Sequence, residues 1–88
     1  MTKEEIVKEL EKYHWYETDY NTFEQKQDKD DEYDYRWDMW FEKGCLRPVC
    51  QDQNYYKDLY LSFEEIDLFK KYYDLVLKEK YEVDQEDS

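Results

Sequence analysis

The sequence predicts an α+β fold: a small single domain with N- and C-terminal helices packed on a three- to four-stranded antiparallel sheet. Three observations lead there. Thr2-Lys3-Glu4-Glu5 and Ser62-Phe63-Glu64-Glu65, one near each end of the chain, both fit the S/T-x-x-E capping box. In that motif hydroxyl and carboxylate each satisfy a backbone N–H at a helix start. Between them, Tyr33, Tyr35, Trp37, Met39 and Phe41 alternate with Asp34, Arg36 and Asp38, the period of a half-buried strand. The third observation is length, since 88 residues suffice for one domain only.

The elements follow in order. After the first capping box, Ile6, Val7, Leu10, Tyr13 and His14 fall on one helical stripe, predicting a helix over residues 3–14. Residues 15–31 hold neither period for long. Tyr16, Thr18, Tyr20 and Thr22 alternate and favour a strand, and Asp28-Lys29-Asp30-Asp31 forms a polar break suited to a hairpin turn. The aromatic alternation of residues 33–41 is the strongest strand signal, broken only by Trp40, which is therefore the aromatic expected on the surface. A helical reading of the same stretch groups Tyr33, Trp37, Trp40 and Phe41. Glu42-Lys43-Gly44 turns the chain into a strand over residues 45–50, where Pro48 requires an edge or a bulge. Asp52-Gln53-Asn54 marks another turn, and residues 55–61 a further candidate strand. The second capping box opens a helix over residues 63–80. Phe63, Ile66, Phe69, Tyr73, Val76 and Leu77 form its main apolar stripe; Leu68, Tyr72 and Leu75 form a second. A helix apolar on two flanks is either deeply buried or at an interface. In so small a domain this makes Leu68, Tyr72 and Leu75 a candidate oligomer interface. Residues 1–81 are read as the domain and residues 82–88 as an acidic flexible tail.

The composition carries two opposed signals. Charged residues make up 43% of the chain, and high charge with low hydrophobicity usually means disorder. Eleven Tyr, four Phe and three Trp argue the other way, because disordered chains are poor in aromatics. Gly and Pro occur once each, leaving no flexible linker. Alanine is absent, as A/T-rich codon usage produces, and that points to a bacterial, phage or plasmid genome.

The net charge is −12, and it is uneven. Residues 28–42 carry seven acids and two bases, a net −5, and residues 81–88 a net −4. In the middle segment, a strand would project Glu32, Asp34 and Asp38 from the face opposite the aromatics, with i, i+2 neighbours about 6.6–6.8 Å apart. A helix would align Asp30, Asp34, Asp38 and Glu42 about 6 Å apart. Both give a regular row of carboxylates spaced on the scale of a nucleic-acid backbone. Like charges so placed cost a few tenths of a kcal/mol per pair. One reading is a solvated face that keeps a small protein soluble. The other is an electrostatic decoy for the basic groove of a nucleic-acid-binding protein, meeting its Arg and Lys side chains by charge-assisted hydrogen bonds. Asp30, Asp31, Glu32, Asp34, Asp38 and Glu42, with Trp40 as aromatic anchor, are then the partner-binding residues.

The charge balance argues against direct nucleic-acid binding, which needs Lys and Arg to neutralise phosphates, and against an anionic membrane surface. No apolar run approaches the ~20 residues of a membrane helix and no secretory h-region follows Met1, so a cytoplasmic location is expected, in a host cell. Cys45 and Cys50 form one Cys-x4-Cys pair without a second, and His14 is the only histidine, so no zinc site is expected. A disulfide between the two cysteines is compatible with their spacing and disfavoured by the compartment. Residues 28–39 fail as a calcium loop, with Tyr33 where Gly is required and Met39 where Glu is required. His14 beside Glu11 or Glu17 is read as structural rather than as an acid–base pair. No phosphate loop and no set of nucleophile, base and orienting group can be assembled. No cofactor, metal or catalytic residue is expected.

In size and charge the chain is similar to the small acidic inhibitors of phages and mobile elements: anti-CRISPR proteins, anti-restriction proteins and uracil-DNA glycosylase inhibitors. The likeness is one of composition and class, with no family motif and no residue carried over. It implies an inhibitor acting as a DNA mimic in host-defence evasion. The competing expectation is an acidic protein–protein interaction or adaptor module that homodimerises through its C-terminal helix.

Overall fold

Thr2 and Ser62 both cap helices as their motifs require. The Thr2 hydroxyl accepts from the Glu5 N–H at 3.2 Å, and the Glu5 carboxylate accepts from the Thr2 N–H at 3.1 Å. Ser62 and Glu65 repeat the exchange at 3.2 and 3.1 Å. A computed structural model describes residues 1–26, 37–51 and 58–78 of the chain. In it helix α1 spans Lys3–Glu11, strands β1 Trp15–Glu17, β2 Phe23–Gln25, β3 Trp37–Glu42 and β4 Cys45–Cys50, and helix α2 Phe63–Tyr72. The fold is α+β, with one antiparallel sheet in the order β1-β2-β3-β4.

Several boundaries differ from expectation for local reasons. Helix α1 stops at Glu11, and His14 takes a left-handed φ of 67°, which no helix can continue. Residues 15–25 of the ambiguous stretch after it form a hairpin. Thr18 N–H donates to the Thr22 carbonyl at 2.8 Å, and Asn21 supplies a φ of 57° at the bend. The turn expected at residues 28–31 lies outside the described residues, as do Tyr33 and Tyr35 and the turn at residues 52–54. Of the strand expected over residues 55–61, residues 58–61 have no regular structure. Gly44 turns β3 into β4 at φ +73°, and Pro48 sits on the sheet's edge strand, where its missing N–H costs no ladder bond.

Both helices pack on one face of the sheet. Trp15, Phe23, Met39 and Phe41 project from the strands to meet Ile6, Leu10, Leu68, Phe69, Tyr72 and Leu77 from the helical side. The centre is aromatic. The Phe23 ring lies 5.4 Å from Phe69 and 4.9 Å from Tyr72, both edge-on, and Trp15 meets Phe69 edge-on at 5.3 Å. Edge-on contacts of this kind contribute about 0.5–1.5 kcal/mol each beyond area burial.

Helix α2 is rotated from the face its apolar stripe predicts. It buries Glu65, Leu68, Phe69 and Tyr72 and leaves Phe63 and Ile66 on the surface. Polar anchors at both ends set this rotation. Glu65 accepts from the Trp15 indole, and the Tyr72 hydroxyl donates to Glu17. Beyond Tyr72 the chain widens into a π-helical turn, Tyr73–Leu77, so that Leu77, five residues on, returns to the core. The oligomer interface expected at Leu68, Tyr72 and Leu75 is therefore not formed as a unit. Leu68 and Tyr72 are core residues, and only Leu75 is exposed.

The Cys45–Cys50 disulfide that the spacing permits does not exist. The two residues lie at opposite ends of β4, about 17 Å apart by strand rise, and project to opposite faces. Neither cysteine is in a disulfide.

Candidate protein-interaction face

The face of the sheet opposite the helices is covered by no element among the described residues. Strand alternation decides what it displays. In β3, Met39 and Phe41 point to the helices, so Asp38, Trp40 and Glu42 point away, about 6.6–6.8 Å apart along the strand. Register extends the face sideways. Tyr16 pairs with Glu24, Glu24 with Asp38, and Asp38 with Val49, giving one row across all four strands. Glu24 and Asp38 thus stand directly opposite each other, a like-charge pair that costs stability on the order of 0.2–1 kcal/mol.

Around this pair the surface is concave, with a cavity of about 570 Å³ lined by Tyr16, Tyr20 and Trp40 and by Glu17, Asp19, Glu24 and Asp38. Tyr20 is held out at the tip of the β1–β2 hairpin, where its N–H donates to the Thr18 hydroxyl at 3.2 Å. That hydroxyl lies 2.7 Å from the Thr22 hydroxyl, bracing the loop. Trp40 is 43% exposed, as its break in period predicted. Among the described residues Lys26 also lines the cavity, its ammonium 3.7 Å from Glu24. Asp38 accepts from the Gln51 amide at 2.6 Å. Such a surface offers carboxylate acceptors and aromatic faces, the two groups that together recognise cationic side chains.

Of the residues expected to bind a partner, Asp38, Trp40 and Glu42 are therefore on one strand and one face. Glu42 is not a bare carboxylate, because Arg47 on β4 donates to it at 2.9 Å. An exposed pair of this sort contributes about 0–1 kcal/mol and offsets one charge of the row. The strand reading of residues 37–42 also breaks the alternative helical alignment of Asp38 and Glu42. Asp30, Asp31, Glu32 and Asp34 lie outside the described residues. Sequence reasoning missed Tyr16, Tyr20, Asp19 and Glu24 as members of the same face. Alternation of Tyr16, Thr18 and Tyr20 hinted at it, but the register that sets Glu24 against Asp38 is not written locally.

Among the described residues no three His, Cys, Asp or Glu side chains are placed to share a metal ion, and His14 lies at the α1–β1 connection. No helix among them is long and apolar enough to cross a membrane.

Fold and face define a small α+β protein with one sheet face closed by helices and the other acidic and aromatic, uncovered among the described residues. Comparison with protein-family models, with curated proteins and with solved structures found no match to this chain.

Proposed function

We propose that the protein binds, through its open sheet face, the basic nucleic-acid-binding surface of another protein and inhibits it as a nucleic-acid mimic. The observation that carries this reading is the Glu24–Asp38 pair, two carboxylates set opposite each other across β2 and β3. Lys at either position would stabilise the sheet by cross-strand attraction, so folding alone does not favour the pair. Tyr16, Tyr20 and Trp40 around it supply ring faces for Arg or Lys side chains. Asp30, Asp31, Glu32 and Asp34 continue the acidic run ahead of β3 in the sequence, and we assign them the same role. A total charge of −12 steers a basic partner toward the chain and makes the encounter salt-sensitive. In this the protein acts in the manner of the small phage-encoded inhibitors it is similar to in size and charge.

The test is capture of partners from a bacterial extract on immobilised protein, with DNA and RNA as competitors. A partner eluted by nucleic acid and by salt, and lost in the Glu24→Lys/Asp38→Lys and Trp40→Ala variants, supports the proposal. Retention of the partner through competitor, salt and both variants rejects it. Trp40→Ala keeps the fold, because the indole is largely outside the core.

A further inference from the structure

We propose that a cavity between α2 and the β3–β4 hairpin binds a small amphipathic monocarboxylate, its hydrocarbon part among the aromatic and aliphatic walls and its carboxylate on Lys70. The cavity measures about 310 Å³, and its lining includes Phe41, Leu46, Ile66, Phe69, Lys70 and Tyr73. Phe41 and Phe69 belong to the buried core and form the inner wall. Ile66 and Lys70, four residues apart on one side of α2, are exposed and stand at the mouth. The walls are fixed by contacts within the chain. The Tyr73 hydroxyl accepts from the Gly44 N–H at 3.1 Å, which ties the helical side to the β3–β4 turn. The Phe41 ring stacks on Tyr73 at 6.4 Å and meets Phe69 edge-on at 6.0 Å. A preformed apolar cavity with few polar groups is the usual form of a small-molecule site. This one is near the lower end of the range of such sites, about 300–1,000 Å³. It admits a short alkyl chain or a single ring, not a nucleotide or a peptide.

Charge at the mouth decides the polar end of the ligand. Among the described residues Lys70 is the only charged side chain in the lining. Two carboxylates lie within reach of it along the helix, Asp67 and Asp74, and both are directed elsewhere. Asp67 accepts from Lys71 at 2.9 Å. Asp74 lies on the α1 side, where it lines a separate depression with Met1, Ile6 and Lys71. The π-helical turn that begins at Tyr73 widens the helix and breaks the i, i+4 alignment that would bring Asp74 to Lys70. Among the described residues Lys70 accordingly makes no ion pair. The apolar walls beside it lower the local dielectric and strengthen its attraction for an anion that enters there.

One ammonium balances one negative charge, and the field of a chain carrying −12 opposes a second. The site therefore favours a monocarboxylate over a phosphate dianion. The cavity lies on the helix side of the sheet and the Glu24–Asp38 pair on the other, so this proposal and the basic-partner reading stand or fall separately.

Titration of the full chain with octanoate, followed by methyl NMR at low salt, tests the idea, with 1-octanol as the uncharged control. The expected result is saturable shifts of the Leu46 and Ile66 methyl signals with both probes, and tighter binding of octanoate. Lys70→Gln should weaken octanoate about fivefold and leave 1-octanol unchanged, as loss of one exposed ion pair predicts. Ile66→Glu, which sets a negative charge at the mouth, should weaken octanoate at least about tenfold. Both side chains are exposed, so the circular dichroism of the variants is expected to match that of the wild type. Absence of saturable shifts at Leu46 and Ile66 overturns the site. Octanoate binding that is indifferent to Lys70→Gln, or that falls no more than 1-octanol binding does, overturns the assignment of a carboxylate to Lys70.

Discussion

The indole N–H of Trp15 donates to Oε2 of Glu65 at 2.7 Å, deep in the core and across fifty residues of sequence. The other carboxylate oxygen of Glu65 accepts from the Ser62 N–H and hydroxyl at 3.1 and 3.0 Å. One side chain thus closes the α2 capping box and holds α2 to β1. This explains why a carboxylate occupies a buried position: each oxygen is satisfied, so desolvation is offset. It also explains how α2 acquires its rotation.

Glu65→Ala removes the cap and leaves the Trp15 N–H buried without an acceptor. The two losses together cost about 2–4 kcal/mol. Trp15→Phe leaves Glu65 its Ser62 partners but loses the tie. Urea unfolding of both single variants and the double variant gives the coupling. A coupling energy near zero would show that the 2.7 Å contact contributes nothing to the folded state.

Tyr72 predicts an alkaline limb of the stability curve. Burial first, and then the hydrogen bond to Glu17, push its phenol well above the ordinary 10.0. Its hydroxyl donates to Oε2 of Glu17 at 2.6 Å, with the Asn21 side-chain oxygen at 3.3 Å. A raised folded pKa means that the unfolded chain releases this proton first. Stability from Tyr72 is complete below pH 10 and falls as pH rises above it. Tyr72→Phe is expected to lose about 2 kcal/mol at neutral pH and to flatten the decline above pH 10. Parallel curves for wild type and variant above that pH would count against the assignment. So would a phenol that titrates with the exposed tyrosines in ultraviolet difference spectra.

The cysteines give a chemical check on the β4 register. Cys45 is exposed beside the turn, while Cys50 is half-buried on the helix-facing side. In the native protein Cys45 should react with a thiol reagent well before Cys50, and denaturation should release two thiols. Treatment with a mild oxidant should give no intramolecular bridge between them, because they are about 17 Å apart along the strand. An oxidised monomer two mass units lighter would mean that β4 does not exist as described.

How much was legible in the sequence differs from element to element. Both capping boxes, the strand at residues 37–42, the Gly44 turn and the edge placement of Pro48 could be read because each depends on residues within a few positions. Exposure of Trp40 followed from the same alternation. The β1–β2 hairpin was obscured, because strands of three residues are too short for a period to register and Asn21 is an unremarked source of positive φ. The face of α2 was misjudged because Phe63 and Ile66 extend its apolar stripe, yet Glu65 and Tyr72 have the partners that fix the buried side. Those partners, Trp15 and Glu17, lie about fifty residues away.

For the candidate site the division is similar. Sequence alone determined that the chain is strongly acidic, rich in aromatic anchors and concentrated in charge around residues 28–42, since these are sums over residues and need no geometry. It also placed Asp38 and Trp40 on one side of a strand, since side chains in a strand alternate. Only the tertiary structure decided that Glu24 confronts Asp38, that Tyr16 and Tyr20 frame the pair, and that Arg47 offsets Glu42. Each of these depends on strand register, and register is set by how four strands bury their aromatic faces against two helices. That is a property of the packed core as a whole, which no local run of residues encodes.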